Sequence, residues 1–121
     1  MRPSGVGMRK VPEKFREFVS RYPEAARAYE DFAAACRRAG PLGDRDRALV
    51  QLGIAAGSNV EGSVNSQVRK ALDLGLSPGE IRHAILLAST AVGFPRMMRA
   101  LTWADAILGP GEAEGGPEPG R

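Results

Sequence analysis

Several polar side chains in one short stretch have the types and spacing of a small-molecule site. Glu61 and Asn65 are four residues apart, and residues at this spacing share one face of a helix. With Ser58 or Gln67 nearby, we expect them to line a small polar pocket that recognises a hydroxyl, an amide or a cation. We predict that Ser63, Asn65 and Gln67 bind a substrate and that Glu61 is catalytic. The alternative is that Glu61 only compensates the helix dipole.

His83 is the second candidate for acid–base chemistry, since it is the only histidine and imidazole titrates near neutral pH. A general base needs a partner within reach, and Glu61 and Glu80 are the visible candidates. The enzyme hypothesis therefore makes Glu61 and His83 the catalytic residues. The alternative is that His83 is a hydrogen-bonded residue of the core or of a subunit interface.

Cys36 is the only cysteine, which excludes an internal disulfide, a CxxC redox pair and a multi-cysteine zinc site. It shares a helix face with Tyr29 and Phe32, so we expect a small buried hydrophobe rather than a reactive thiol. The sequence has no HExxH motif and no glycine-rich phosphate loop. We predict neither a metal nor a cofactor.

The composition indicates one ordinary globular domain. The chain has 121 residues, 43% of them hydrophobic and 26% charged, and no apolar run approaches the roughly 20 residues that span a bilayer. The N-terminal residues lack the apolar run of a signal peptide. Its net charge of +3 is scattered over several segments without a basic stripe. We expect a cytoplasmic protein that binds neither membrane nor nucleic acid.

The elements that must position these residues are all helical, because apolar residues recur at helical spacing and no segment alternates with period two. We predict an all-α bundle of about six helices in a single domain over 12–108, with a flexible N-terminus at 1–11. Residues 109–121 contain five Gly, three Pro and no large apolar side chain, which predicts a disordered tail.

The helix boundaries follow from local signals. Helices are predicted at 12–21, 23–39 and about 45–57, and the fourth closes on Gly75. A capping box at Ser77–Glu80 opens the fifth, and Gly93-Phe94-Pro95 ends it before the last helix runs to Leu108. The fifth helix is apolar nearly all round, so we expect it to be buried.

The supply of apolar residues also exceeds what a small monomer buries. We therefore predict a symmetric homo-oligomer. Met97, Met98 and Trp103 are expected in the core or at a subunit interface rather than in a ligand site.

From Arg45 to about Leu108 the sequence resembles the carboxymuconolactone decarboxylase and alkylhydroperoxidase D-like family. The resemblance is carried by ALVQLGIAAGSNVEG, by SQVRKALDLGLSPGEIRHAILLA and by TAVGFPRMMRALTW. It implies an alkylhydroperoxidase D-like all-α bundle with a family-like core at 45–108. The family's usual assemblies imply a homotrimer or homohexamer.

The chemistry of the family carries over poorly. Peroxidase members have a CxxCxxxH motif, and this chain has Val60, Ser63 and Gln67 at those positions and Ala48 at the position of the upstream glutamate. Neither Val nor Ser forms a disulfide and Gln shuttles no proton. The decarboxylase branch has a histidine at the Gln67 position and a glutamate where this chain has His83.

A third group in the family has an EGxxHSH-like helix, of which Glu61, Gly62 and Ser66 persist while Asn65 and Gln67 replace both histidines. These replacements keep hydrogen bonding and lose ionisation. The resemblance therefore favours a small-molecule binder or oligomeric module without thiol peroxidase chemistry. The alternative is an enzyme with non-thiol acid–base chemistry on a small carboxylated or cyclic substrate.

Overall fold

The computed structural model describes residues 13–110, which form helices and no strand. The predicted all-α class is confirmed. Contacts divide the chain into two compact units, Met1–Gly43 and Asp44–Arg121, and each is considered by itself. The single-domain prediction for 12–108 stays a prediction. The predicted flexible segment at 1–11 lies outside the described residues, as does the predicted tail beyond residue 110.

The described part of the first unit contains two helices, α1 (Glu13–Arg21) and α2 (Pro23–Arg38). Pro23 starts α2 as the sequence predicts, because proline has the φ that a first helical position needs. Within residues 13–43 only Ala26 is buried. Cys36 is exposed, so the prediction of a buried thiol is wrong. Its neighbour on the same face, Phe32, is 65% exposed, and this face of α2 is therefore uncovered.

The second unit contains five helical segments over its described residues. They are α3 (Asp44–Ser58), α4 (Glu61–Asp73), α5 (Pro78–Leu86), α6 (Ser89–Val92) and α7 (Phe94–Leu108). Helix α3 packs against α4, α5 and α7, and α7 also packs against α4, α5 and α6. The core lies between these helices, and its largest buried side chains include Leu52, Ile81, Ile85 and Met97.

Small side chains dominate this core. Seven of its fourteen buried members are alanines: Ala48, Ala55, Ala56, Ala71, Ala88, Ala100 and Ala104. Helices that meet through alanine approach closely, because the distance between helix axes depends on the side chains at the contact. The space between the helices is correspondingly narrow.

The connection from α4 to α5 is fixed by two capping motifs that the sequence predicts. Gly75, with φ +91°, follows α4, and the N–H of Leu76 donates to the carbonyl of Ala71 at 3.0 Å, which is a Schellman ending. Ser77 and Glu80 then form a complete capping box. These motifs set where α5 begins and which of its faces meets α3.

The fifth predicted helix is interrupted, which the sequence analysis did not foresee. Helix α5 ends at Leu86, and α6 is a single turn before Gly93. At the break, the Ser89 hydroxyl donates to the carbonyl of Leu86 at 2.8 Å, and such local bonds compete with the helical pattern. The expectation of a buried helix is also wrong, because Leu86 and Leu87 are 49% and 60% exposed.

Among the described residues, no helix combines the length and the apolar character needed to cross a membrane.

Substitutions at two glycines are expected to change the free energy of unfolding in opposite directions. A Cβ at Gly53, inside α3, meets no atom within 4 Å, so Gly53→Ala is expected to raise the free energy of unfolding by about 0.5–1 kcal/mol. Gly75→Ala is expected to lower it by about 1–2 kcal/mol, because φ at this position is +91°. Urea denaturation followed by circular dichroism measures both. A stabilising Gly75→Ala would contradict the left-handed ending of α4.

Candidate functional site

A groove of about 650 Å³ lies between α3, α5 and α6 within the second unit. Its volume is in the range of small-molecule sites. The wall from α3 consists of Leu49, Val50, Gly53 and Ile54. Facing it from α5, α6 and the segment between them are Ala84, Leu87, Ala88, Ala91 and Val92. These walls offer aliphatic contact and contain no Phe, Tyr or Trp.

The polar side chains of the groove are Glu80 and His83, which lie one turn apart on α5. Glu80 is held in place by three contacts. Its Oε1 accepts from the N–H of Ser77 at 2.9 Å, its own N–H donates to the Ser77 hydroxyl at 3.0 Å, and its Oε2 pairs with the Arg45 guanidinium. The N–H of Ser77 is the main cause that holds the pKa of Glu80 below its ordinary value; desolvation opposes it, and Arg45 adds to the lowering.

The His83 side chain is exposed and lines the groove. Among residues 13–110 its imidazole has no hydrogen-bond or ion-pair partner. It is therefore a donor and acceptor that remains available to a molecule in the groove. The prediction that His83 takes part in function stays open, and the structure adds its place among aliphatic side chains.

The four candidate residues on α4 lie elsewhere. Glu61 and Ser63 are exposed, and Asn65 and Gln67 are half-buried. Residues two apart on a helix do not face each other, so Asn65 and Gln67 lie on different sides of α4. Neither they nor Glu61 and Ser63 line the groove that holds His83.

The structure therefore does not bring Glu61 and His83 into one cavity of the described residues. The roles predicted for Glu61, Ser63, Asn65 and Gln67 stay predictions. Ser58, the further pocket member considered from the sequence, is used locally. Its hydroxyl donates to the carbonyl of Ala55 at 2.7 Å and accepts from the N–H of Val60 at 3.3 Å.

Two arginines connect α7 to the end of α3 and to the turn that follows it. Arg96 donates to the carbonyl of Gly57 at 3.2 Å, and Arg99 donates to Oδ1 of Asn59 at 2.5 Å. Asn59 has φ +63°, a left-handed conformation that asparagine adopts more readily than most residues. An asparagine between two apolar-periodic segments was the available signal for this tight turn.

Across the described part of the chain, no three His, Cys, Asp or Glu side chains group in a way that holds a metal ion. The groove itself was also missed from sequence. Two features of the sequence could have predicted the groove. The segment around α5 has more apolar side chains than the core buries, and Gly53 lies in the middle of α3.

Comparison with known proteins identifies the family. The sequence model of the carboxymuconolactone decarboxylase family matches residues 23–106. The chain belongs to this family. The match includes α2 and so begins earlier than the resemblance at 45–108. No curated protein and no solved structure matches the chain significantly. With one cysteine, this carboxymuconolactone decarboxylase family member lacks the CxxC pair, as predicted.

The contacts of Glu80 predict a pH dependence of stability. Because its pKa is lowered in the folded state, ionised Glu80 stabilises the fold above the unfolded-state pKa, and this contribution disappears as the pH falls through the folded-state value. Glu80→Gln keeps a capping side chain but has no charge to lose. We expect the stability difference between wild type and Glu80→Gln to shrink from about pH 6 to about pH 3, measured by urea denaturation. A constant difference would contradict it.

Proposed function

We propose that this carboxymuconolactone decarboxylase family member binds a small aliphatic molecule in the groove between α3, α5 and α6, without thiol peroxidase chemistry. The observation that carries the proposal is the mostly aliphatic lining together with the His83 imidazole, which has no hydrogen-bond partner among residues 13–110. Binding sites of small molecules combine an apolar lining with a few polar groups that fix orientation. We place this function in the cytoplasm.

The absence of thiol peroxidase chemistry rests on the number of cysteine thiols in the chain. A peroxidase that cycles through an internal disulfide needs two thiols, and this chain has Cys36 alone. Cys36 lies on α2, outside the groove. Acid–base catalysis by Glu61 and His83 has less support than binding, because Glu61 does not line the groove that contains His83.

Gly53 offers a direct test of the groove. Its missing side chain leaves open space, so Gly53→Leu fills the groove without displacing the core. The probes are cyclohexanol, cyclohexylamine and cyclohexanecarboxylate, which share one aliphatic ring. We expect at least one to shift the backbone amide NMR signals of Ala84 and Ala91 with a dissociation constant on the order of millimolar. In Gly53→Leu the shifts should disappear.

Gly62→Leu is the matched control, because Gly62 also has open space around it and lies on α4, away from the groove. It should leave the shifts unchanged. If no probe shifts the groove amides of the wild type, or if Gly53→Leu binds as the wild type does, the groove is not the binding site.

A second candidate function, a homo-oligomeric module, is favoured by the aromatic side chains. All four Phe and both Tyr of the chain are exposed, as are Leu86 and Leu87. Large apolar side chains on a protein surface mark interaction sites when they are contiguous, and aromatic residues contribute strongly to interfaces. These side chains support self-association as a trimer or hexamer, and neither nucleic acid nor membrane is among the proposed partners.

Light scattering with size-exclusion chromatography tests self-association. We expect a mass three or six times 12.9 kDa. The double variant Leu86→Gln/Phe94→Gln should lower it, because it removes two exposed apolar side chains outside the groove. Thr90→Gln, at an exposed position of α6, is the control and should keep the wild-type mass. A monomeric wild type at micromolar concentration would exclude this candidate.

A further inference from the structure

Building on the proposed function, we infer that the groove selects a ligand with an uncharged hydrogen-bonding head group, an alcohol or a carbonyl, on an aliphatic body. The selecting residues are His83, Glu80 and Arg45. The inference concerns the charge of the ligand, which the groove's volume and aliphatic lining leave open.

The charged groups at the polar end of the groove already satisfy one another. Glu80 is bonded through one oxygen to the Ser77 N–H and pairs through the other with Arg45. A cationic head group would find Glu80 as the only acidic side chain of the lining, and the positive charge of Arg45, which pairs with that carboxylate, offsets its attraction. Its charge would lose hydration without a free counter-ion, which is unfavourable.

An anionic head group is disfavoured by the same ion pair. The Glu80 carboxylate, one helical turn from His83, repels an anion. Arg45, the cation nearest to that carboxylate, is already paired with it. An anion would therefore also lose hydration without a free counter-ion.

An uncharged head group meets neither cost. The His83 imidazole has one donor and one acceptor that no described residue uses, and a hydroxyl or carbonyl bonds to it with little loss of hydration. The body of the ligand then lies against Gly53, Leu87 and Ala91, whose side chains offer only aliphatic contact. The lining has no Phe, Tyr or Trp ring on which a planar ligand would stack.

The three cyclohexyl probes differ only in the head group and therefore test this inference. We expect cyclohexanol to bind roughly tenfold more tightly than cyclohexylamine or cyclohexanecarboxylate, a factor that one hydrogen bond at the head group supplies. Titrations followed by the amide signals of Ala84 and Ala91 give the three dissociation constants. Tightest binding of the carboxylate or the amine, or equal binding of all three, overturns the inference while the proposed binding function stands.

Substitutions at His83 assign the selectivity to the imidazole. His83→Leu should weaken cyclohexanol binding several-fold and leave the weaker binding of the charged probes almost unchanged. His83→Gln keeps a donor and an acceptor and should restore part of the preference for the alcohol. Unchanged alcohol affinity in His83→Leu overturns the role of His83. If none of the three probes binds to the wild-type protein, the proposed function itself is wrong, and this result is distinct from the others.

Discussion

Close packing through alanine is the constraint on which the rest of the second unit depends. Ala55, Ala56 and Ala104 are at most 4% exposed, and helices that meet through such residues leave no room for a large ring. The fully buried side chains of the core are correspondingly aliphatic or, in Met97, a thioether. Of the aromatic side chains in the described part of this unit, Phe94 is exposed and Trp103 is half-buried. A core this narrow leaves Phe94 at the surface, where it is available to a partner.

The same preference for small residues explains why a groove exists beside this core. Gly57 approaches α6 so closely that a Cβ there would lie 3.2 Å from the Val92 side chain. One turn earlier, Gly53 faces open space, because α5 has ended at Leu86 and α6 is only one turn long. The groove is thus the space beside Gly53, which has no side chain, at the point where α5 ends and the helix does not continue. Its shape follows from glycine positions and from the break, and its polarity follows from the Ser77–Glu80 cap.

Local signals predicted the fold well, and tertiary contacts account for what they missed. The ending at Gly75 and the cap at Ser77 are determined by a few adjacent residues, so the sequence alone identified them. The break after Leu86 depends on hydroxyl bonds of Ser89 and on Gly93, within a run whose apolar pattern favours a continuous helix. The exposure of Cys36 depends on what covers α2, which periodicity cannot supply.

The candidate site was harder to predict, because a helical stretch of polar residues shows spacing but not surroundings. Asn65 and Gln67 are neighbours in sequence, yet helix geometry sends them to different sides of α4. The sequence pointed to His83 because it is the only histidine. Gly53, which lines the same groove, has no functional group that would suggest a site. The polar part of the groove is fixed by the helix cap: the cap immobilises Glu80, Arg45 pairs with it, and His83 has no hydrogen-bond partner among residues 13–110. The polar contacts of the groove thus come from α5 and not from the polar residues of α4, whose spacing was the signal in the sequence.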